Sequence, residues 1–269
     1  MPSLPRLLYL LNCPSRDYLI AAIVFGCVSL GLFLDGEASR LGQYALGACA
    51  WTILFLLLHG EDNQVRLQVA IAILAATLCE YTFAPMYHIY IYRFDNVPAY
   101  VPPGHGMVYL TAVALARSAF FKRYQRAITT GVLGVGAAWA LWGVTFAARA
   151  DTGGAVLFLV FAGFVFFGRS PRVYLGAFLI TSYLELIGTY WGTWAWAEFW
   201  PSWGNLPQAN PPSGIAAGYC FLDAIALTGA PWLACAIESG RRVLQAPRLA
   251  PIRVEVESEQ SQREHEEYR

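Results

Sequence analysis

Three carboxylic acids lie inside long apolar segments of this sequence, and they are the first candidates for chemistry. They are Glu80, Glu185 and Asp223. A charged side chain at the centre of a bilayer costs about 2.5–3.5 kcal/mol on insertion scales, so such residues usually face a cavity or a partner. We therefore predict that the three acids converge on one buried catalytic site. The alternative is that they are protonated and hydrogen-bond between helices as structural contacts.

Two histidines fall close to the first acid in the sequence. His88 follows Glu80 by about two helical turns, and His105 opens the next apolar segment. Acid–base catalysis requires one group that donates a proton and a second that accepts it. We predict that Glu80 or Glu185 donates the proton, and that Asp223 accepts it or orients water. The two histidines are predicted to tune these acids.

The same side chains belong to the types that bind zinc or iron. Glu80, His88 and His105 could be joined in such a site by Glu185 or Asp223. The sequence contains no HxxxH or HxxH pair, however. We therefore predict a site that works without a metal or another cofactor, with a metal site as the alternative.

Aromatic side chains crowd the segments that follow the two glutamates. The residues predicted to contact a hydrophobic substrate are Tyr87, Tyr90, Trp191, Trp194, Trp196 and Tyr219. Their ring faces can stabilise a cationic intermediate or stack on a polyene. The alternative is an aromatic belt at the membrane–water interface, where Trp and Tyr are enriched.

The composition indicates what must hold these residues. The chain has 269 residues, of which 57% are hydrophobic and 13% charged, and its mean hydropathy is +0.45. Soluble domains carry about 25% charged residues. The sequence therefore predicts an all-α polytopic membrane protein whose partners are membrane lipids and a hydrophobic small molecule. Nothing predicts nucleic-acid binding, and the sequence does not indicate an oligomeric state.

Eight apolar segments approach the length of a membrane span, which needs about 20 residues. They are predicted at 17–34, 43–59, 67–90, 105–121, 127–147, 154–168, 173–194 and 214–237. Basic residues between them gather on one side of the predicted membrane, where ten of them fall against three on the other side. Because cytoplasmic loops carry the excess of Lys and Arg, we predict an inner (plasma) membrane protein with both termini in the cytoplasm.

The two halves of the sequence share a frame. "EYTFAPMYHIYIYRF" starts at Glu80 and "ELIGTYWGTWAWAEF" at Glu185, and each is followed by a loop with Pro-Pro before an apolar segment. We predict two parallel four-helix repeats, residues 1–126 with an N-terminal interfacial helix and residues 127–240. A disordered, charged cytoplasmic tail is predicted at 241–269. Parallel repeats are related by an axis along the membrane normal. Pro85 is predicted to kink or break the third helix after Glu80.

One stretch of the second half resembles a known family. Residues from Glu185 to Tyr219 are similar to the carotenoid-biosynthesis membrane proteins that include bisanhydrobacterioruberin hydratase, which show a Glu-x-x-Gly motif, an aromatic exit and a helix introduced by prolines. The resemblance implies an isoprenoid substrate and protonation of an alkene, with water or an internal double bond capturing the cation. It implies Glu185, and through the duplication Glu80, as the acids.

These observations together predict an integral membrane enzyme of the lyase or isomerase class. Its reaction would be hydration, cyclisation or isomerisation of an isoprenoid or other lipid-soluble substrate. Two alternatives remain open. A proton-coupled transporter also has parallel repeats, broken helices and intramembrane acids, and a structural protein of the cell envelope would use the acids as helix contacts.

Overall fold

The computed structural model describes residues 16–201 and 204–245, with side chains through residue 240. The main unit ends at Ala234, and the described part of the second unit is the end of the last helix. That helix includes residues 241–245, which the sequence analysis assigned to the charged tail. The predicted N-terminal interfacial helix and residues 246–269 of the tail lie outside the described residues.

The described chain is mostly helical. In chain order the α-helices are α1 (Arg16–Glu37), α2 (Arg40–His59), α3 (Asn63–Tyr81), α4 (Val101–Arg117), α5 (Ala119–Arg123), α6 (Gln125–Thr145), α7 (Thr152–Phe167), α8 (Pro171–Tyr190) and α9 (Ala217–Gln245). Apart from the short α5, each coincides with one of the eight predicted segments. The prediction of a helical protein is therefore confirmed.

Six of the described helices are long and apolar enough to cross a membrane: α1, α2, α3 with its extension to Met86, α6, α8 and α9. Helix α7 is apolar but has 16 residues, and α4 has 17. At 1.5 Å per residue these two helices span about 24–26 Å, which is less than the roughly 30 Å of a bilayer core. Length and composition thus support a multi-pass membrane protein with six crossings.

Large apolar side chains point outward on several of these helices. Leu41, Phe55, Leu74 and Leu159 are each more than 60% exposed. A soluble protein rarely exposes apolar surface so continuously, whereas lipid solvates it. The exposed faces therefore fit a bilayer environment.

Helices α4 and α8 cross at the centre of the bundle. A Cβ atom on Gly176 would lie 2.9 Å from the carbonyl oxygen of Ala112, so the two backbones are in direct contact there. Small residues allow such close approach between helices in membranes. Both helices carry candidate site residues, His105 on α4 and Glu185 on α8.

The third helix breaks where Pro85 predicts it. Helix α3 ends at Tyr81, and a π-helical segment, Thr82–Met86, contains the proline. Proline lacks the backbone N–H that the helical ladder needs, and π turns often mark such interruptions. The predicted break directly after Glu80 is confirmed.

A short two-stranded antiparallel ribbon accompanies the helices of this all-α fold. Strand β1 (Tyr90–Tyr92) pairs with β2 (Trp194–Trp196), in the register Tyr90–Trp196, Ile91–Ala195 and Tyr92–Trp194. In each strand the outer two side chains are buried and the central one is exposed, as strand alternation requires. The ribbon therefore directs four aromatic rings toward the interior of the bundle.

Candidate functional site

Glu80 lies at the end of α3 beneath the ribbon and is 7% exposed. Its Oε2 accepts hydrogen bonds from the hydroxyls of Tyr90, at 2.9 Å, and Tyr92, at 2.8 Å. Its Oε1 lies 2.8 Å from Nε2 of His105. One carboxylate thus has three polar partners in apolar surroundings.

His105 connects this carboxylate to a second hydroxyl. Its Nδ1 lies 2.7 Å from the hydroxyl oxygen of Tyr219, near the start of α9. A neutral imidazole donates at one nitrogen and accepts at the other, and the protonated ring donates at both. The line Glu80–His105–Tyr219 can therefore hold a proton at more than one position.

Glu185 is 7% exposed and has partners of a different kind. Its Oε2 accepts from the indole N–H groups of Trp194 and Trp196, each at 2.9 Å. Gly188 makes this arrangement sterically possible, because a Cβ atom there would lie 2.0 Å from the ring of Trp194. The Glu-x-x-Gly spacing therefore has a physical cause: the glycine leaves room for an indole that binds the glutamate.

The ribbon joins the surroundings of the two glutamates. The ring centroids of Tyr90 and Trp196 are 4.7 Å apart, and those of Tyr92 and Trp194 are 6.0 Å apart. Strand β1 supplies the donors to one carboxylate and strand β2 the donors to the other. We call this group of eight residues the glutamate cluster: Glu80, Tyr90, Tyr92, His105, Glu185, Trp194, Trp196 and Tyr219.

Asp223 lies outside the glutamate cluster. It is 1% exposed, and its Oδ1 accepts a hydrogen bond of 2.9 Å from the hydroxyl of Tyr109. Tyr109 lies four residues after His105 on α4, and Asp223 lies four residues after Tyr219 on α9. Four residues span about 6 Å along an α-helix. Within the described residues Asp223 forms no hydrogen bond to either glutamate. The α4–α9 contact thus carries two polar pairs, one helical turn apart.

Besides Asp223, three more of the predicted site residues lie away from the cluster. His88 is exposed and sits in a turn with φ of 50°. The expectation that it follows Glu80 on the same helix is wrong, because the helix stops before it. Tyr87 is 36% exposed, and Trp191 is 40% exposed with its ring against Phe33.

A fourth buried acid was missed by the sequence analysis. Asp35 lies two residues before the end of α1, is fully buried, and accepts hydrogen bonds from Gln43 Nε2 and the Tyr100 hydroxyl, each at 2.9 Å. Arg93 donates to the carbonyl oxygens of Asp35 and Ala38. Burial and the nearby carboxylate raise the pKa of Tyr100 above its ordinary value, so its hydroxyl remains a donor. The site holds the loop after β1 against α1.

Asp151 plays a comparable part in the second half. It is fully buried, caps α7 through Gly154 N–H, and accepts from the backbone N–H groups of Ala209 and Ser213 at 2.8 Å. Both buried aspartates thus fasten the loop that leads to the last helix of their half. Such fastening fixes where His105 and Tyr219 enter the bundle.

The opposite end of the bundle carries an ion cluster. Arg117 donates to both carboxylate oxygens of Glu61 at 2.6 Å, and Arg16 also donates to Glu61. Arg117 binds Asp17 as well. Partial burial alone would raise the pKa of Glu61, but the hydrogen bonds and charges of the two arginines hold it below its ordinary value. The cluster ties α1, the α2–α3 loop and α4 together.

Within the described ranges, no three His, Cys, Asp or Glu side chains come together as a metal-ligand group. Glu80 and His105 are in contact, but neither His88 nor Asp223 joins them. No family model matches the sequence, and no curated protein or solved structure matches it. The side-chain geometry of the glutamate cluster is therefore what a functional proposal has to explain.

Proposed function

We propose that this protein is a membrane enzyme that performs acid–base chemistry on an isoprenoid or other lipid-soluble substrate. The observation that carries the proposal is the 2.8 Å contact between Glu80 and His105 inside a layer of aromatic rings. Such a pair can hold and release one proton where water is scarce. The rings beside it suit a substrate that has few polar groups.

In the proposed reaction, the Glu80–His105 pair gives a proton to the substrate and later recovers one. A proton moves from the Glu80–His105 pair to an alkene carbon, where a C–H bond forms from the π electrons and leaves a carbocation. The faces of Tyr90 and Trp196 favour that positive charge. Attack by water with loss of a proton gives hydration, attack by an internal double bond gives cyclisation, and direct proton loss gives isomerisation. In each case the proton returns to the pair.

Glu185 takes a positioning role in this proposal. Its bound oxygen faces two indole N–H groups, which donate hydrogen bonds and accept none. Glu80, by contrast, contacts an imidazole, whose two ring nitrogens can each donate or accept a hydrogen bond according to the position of the proton. We therefore assign the proton donor to Glu80, and we assign to Glu185 the orientation of β2 and its two tryptophans.

We also propose that the shorter helices α4 and α7 cross the membrane together with the six longer ones, so that eight spans form two parallel repeats with both termini in the cytoplasm. Support comes from positive φ angles at His88 and Gly192, each two residues before its strand. Ala84 and Gly188 are the small residues at matching positions in front of the ribbon. The resemblance to the carotenoid-biosynthesis membrane proteins agrees with the proposed enzyme, because it implies a glutamic acid and an isoprenoid substrate.

The test compares lipid extracts by mass spectrometry from cells with the wild-type gene, without it, and with Glu80→Gln. We expect one isoprenoid or lipid product to disappear in both altered strains, because the amide cannot supply the proton. Glu37→Gln removes an exposed acid at the end of α1 and is the matched control. The proposal fails if the Glu80→Gln and wild-type extracts are the same while both proteins are present in equal amounts.

A proton-coupled transporter is the second candidate, and the two polar pairs along α4 and α9 favour it. His105–Tyr219 and Tyr109–Asp223 continue one line of titratable groups toward the other side of the membrane. In a transporter, Asp223→Asn should abolish gradient-driven flux in liposomes as Glu80→Gln does. In an enzyme, Asp223→Asn should retain product formation, since Asp223 does not contact the glutamate cluster.

A further inference from the structure

Five basic residues at one end of the bundle form no ion pair with an acid in the part of the chain that the structure describes. Lys122 and Arg123 end α5, and Arg126 lies in the first turn of α6. Arg169 and Arg172 lie at the α7–α8 connection. All five side chains are exposed, and none forms an ion pair within the described residues. The sequence explains why: Asp151 is the one acid between Asp95 and Glu185, and it is buried.

Basic residues near the first helices of the same end are engaged differently. Arg16 and Arg117 bind the carboxylates of Glu61 and Asp17. Arg66 donates to the carbonyl oxygens of Leu58 and His59. The five exposed cations differ from these arginines, whose side chains are held by carboxylates or backbone carbonyl oxygens.

Three of the five exposed cations line a concave surface. A recess of about 560 Å³ is lined by Lys122, Arg123, Tyr124, Gln125, Arg126 and Ala127, and we call it the basic recess. Arg172 Nη1 lies 3.2 Å from Oε1 of Gln125, so the start of α8 meets its edge. Phe121 is buried and anchors α5, which keeps the neighbouring cations at the surface.

Exposed aromatic rings stand next to these cations. Phe120 is 52% exposed and Tyr124 is 45% exposed, and their ring centroids lie 5.1 Å apart. Such a pair suits the boundary between head groups and acyl chains, where amphipathic rings are enriched. The recess thus offers positive charge beside an apolar edge, which matches the two parts of a phospholipid.

We propose that the basic recess binds the head group of an anionic phospholipid. Basic pockets between transmembrane helices at the cytoplasmic side are suited to such head groups. Arg and Lys form charge-assisted hydrogen bonds with phosphate oxygens. The exposed rings of Phe120 and Tyr124 contact the upper acyl chain. This site does not depend on the chemistry proposed for the glutamate cluster.

The test uses the full chain in detergent, freed of lipid and titrated with phosphatidylglycerol or phosphatidylcholine. Native mass spectrometry counts the lipids bound. We expect wild type to bind phosphatidylglycerol more tightly than phosphatidylcholine. The variant K122Q/R123Q/R126Q should lose about 10- to 100-fold in affinity for phosphatidylglycerol, because each basic residue contributes up to about fivefold near an anionic lipid.

The variant K122R/R123K/R126K keeps the charge and is the control, which should bind as wild type does. All these side chains are exposed, so equal unfolding temperatures would show that each variant is folded. Equal binding of the two lipids by wild type would overturn the proposal, as would unchanged phosphatidylglycerol binding by the glutamine variant. Displacement of the lipid by millimolar glycerophosphate would instead identify a site for a free anion and also overturn it.

Discussion

Replacing Gly188 by alanine should destabilise the protein through one identifiable contact. A Cβ atom at this position would lie 2.0 Å from the ring of Trp194. The indole cannot move away freely, because its N–H donates to Glu185 at 2.9 Å. Overpacking of this kind costs about 1–3 kcal/mol. Loss of a typical hydrogen bond costs about 0.5–1.5 kcal/mol more.

The free energy of unfolding should therefore fall by about 1.5–4.5 kcal/mol in total. For a domain of this size each kcal/mol shifts the unfolding temperature by about 2–4 °C. A thermal scan in detergent should show an unfolding temperature lower by about 3–18 °C. Tryptophan fluorescence should change in the same variant, since one of its buried indoles is displaced.

Gly134→Ala is the matched control for this experiment. Gly134 lies in α6, is exposed, and has no atom within 4 Å of an added Cβ. Alanine is the better helix former by about 1 kcal/mol, so this variant should be as stable as wild type or more so. If Gly188→Ala were as stable as Gly134→Ala, Trp194 would not lie against α8, and the account of the Glu-x-x-Gly spacing would be refuted.

Two further predictions concern buried acids away from the glutamate cluster. Arg117 and its neighbour Arg16 hold the pKa of Glu61 below its ordinary value of 4.5 in the folded protein. The stabilisation that Glu61 contributes should therefore be complete above pH 4.5, and it should disappear as the pH falls through the lower pKa of the folded state. Glu61→Gln should lose that acid sensitivity and about 3–5 kcal/mol, as measured by denaturation at several pH values. Asp35→Ala should cost several kcal/mol in thermal scans, at about 1–3 kcal/mol for each donor left unpaired, whereas Asp35→Asn, which keeps an acceptor for Gln43, should cost less.

The helices could be predicted from the sequence because lipid imposes a simple pattern. A bilayer requires long apolar runs with satisfied backbones, and such runs are visible without any tertiary information. The acids Glu80 and Glu185 could be recognised for the same reason, because a charged side chain within an apolar run is energetically unfavourable in a bilayer. The sequence also predicts that His105 tunes these acids, and His105 lies 2.8 Å from Glu80.

The ribbon and the buried aspartates could not be predicted because their signals are short. Three residues such as Tyr90–Tyr92 give too little alternation to distinguish a strand from a helix exit. Asp35 sits in "LDGE", which reads as a solvated connection between helices. Its burial depends on Gln43 and Tyr100, which lie 8 and 65 residues away.

The placement of His88 was wrong for a more specific reason. The frame aligned the halves through Glu80 and Glu185, which are 105 residues apart. Strands β1 and β2 are instead offset by 104 residues. The π segment after α3 takes up the difference, since a π turn holds one residue more than an α turn. With that shift His88 corresponds to Gly192, and both occupy left-handed turns that face away from the cluster.

The same comparison explains why the proposed catalytic pair exists in one half of the molecule and not in the other. The proposed duplication aligns Pro102-Pro103 with Pro211-Pro212. Gly214 then takes the position of His105. A Cβ atom on Gly214 would lie 2.0 Å from the backbone nitrogen of Phe158 and 2.4 Å from the carbonyl oxygen of Gly154, so no side chain fits there. Glu185 therefore cannot acquire an imidazole partner from the equivalent position. Its hydrogen bonds within the described residues come from the indole N–H groups of Trp194 and Trp196, and this difference is why the proposal assigns proton exchange to Glu80.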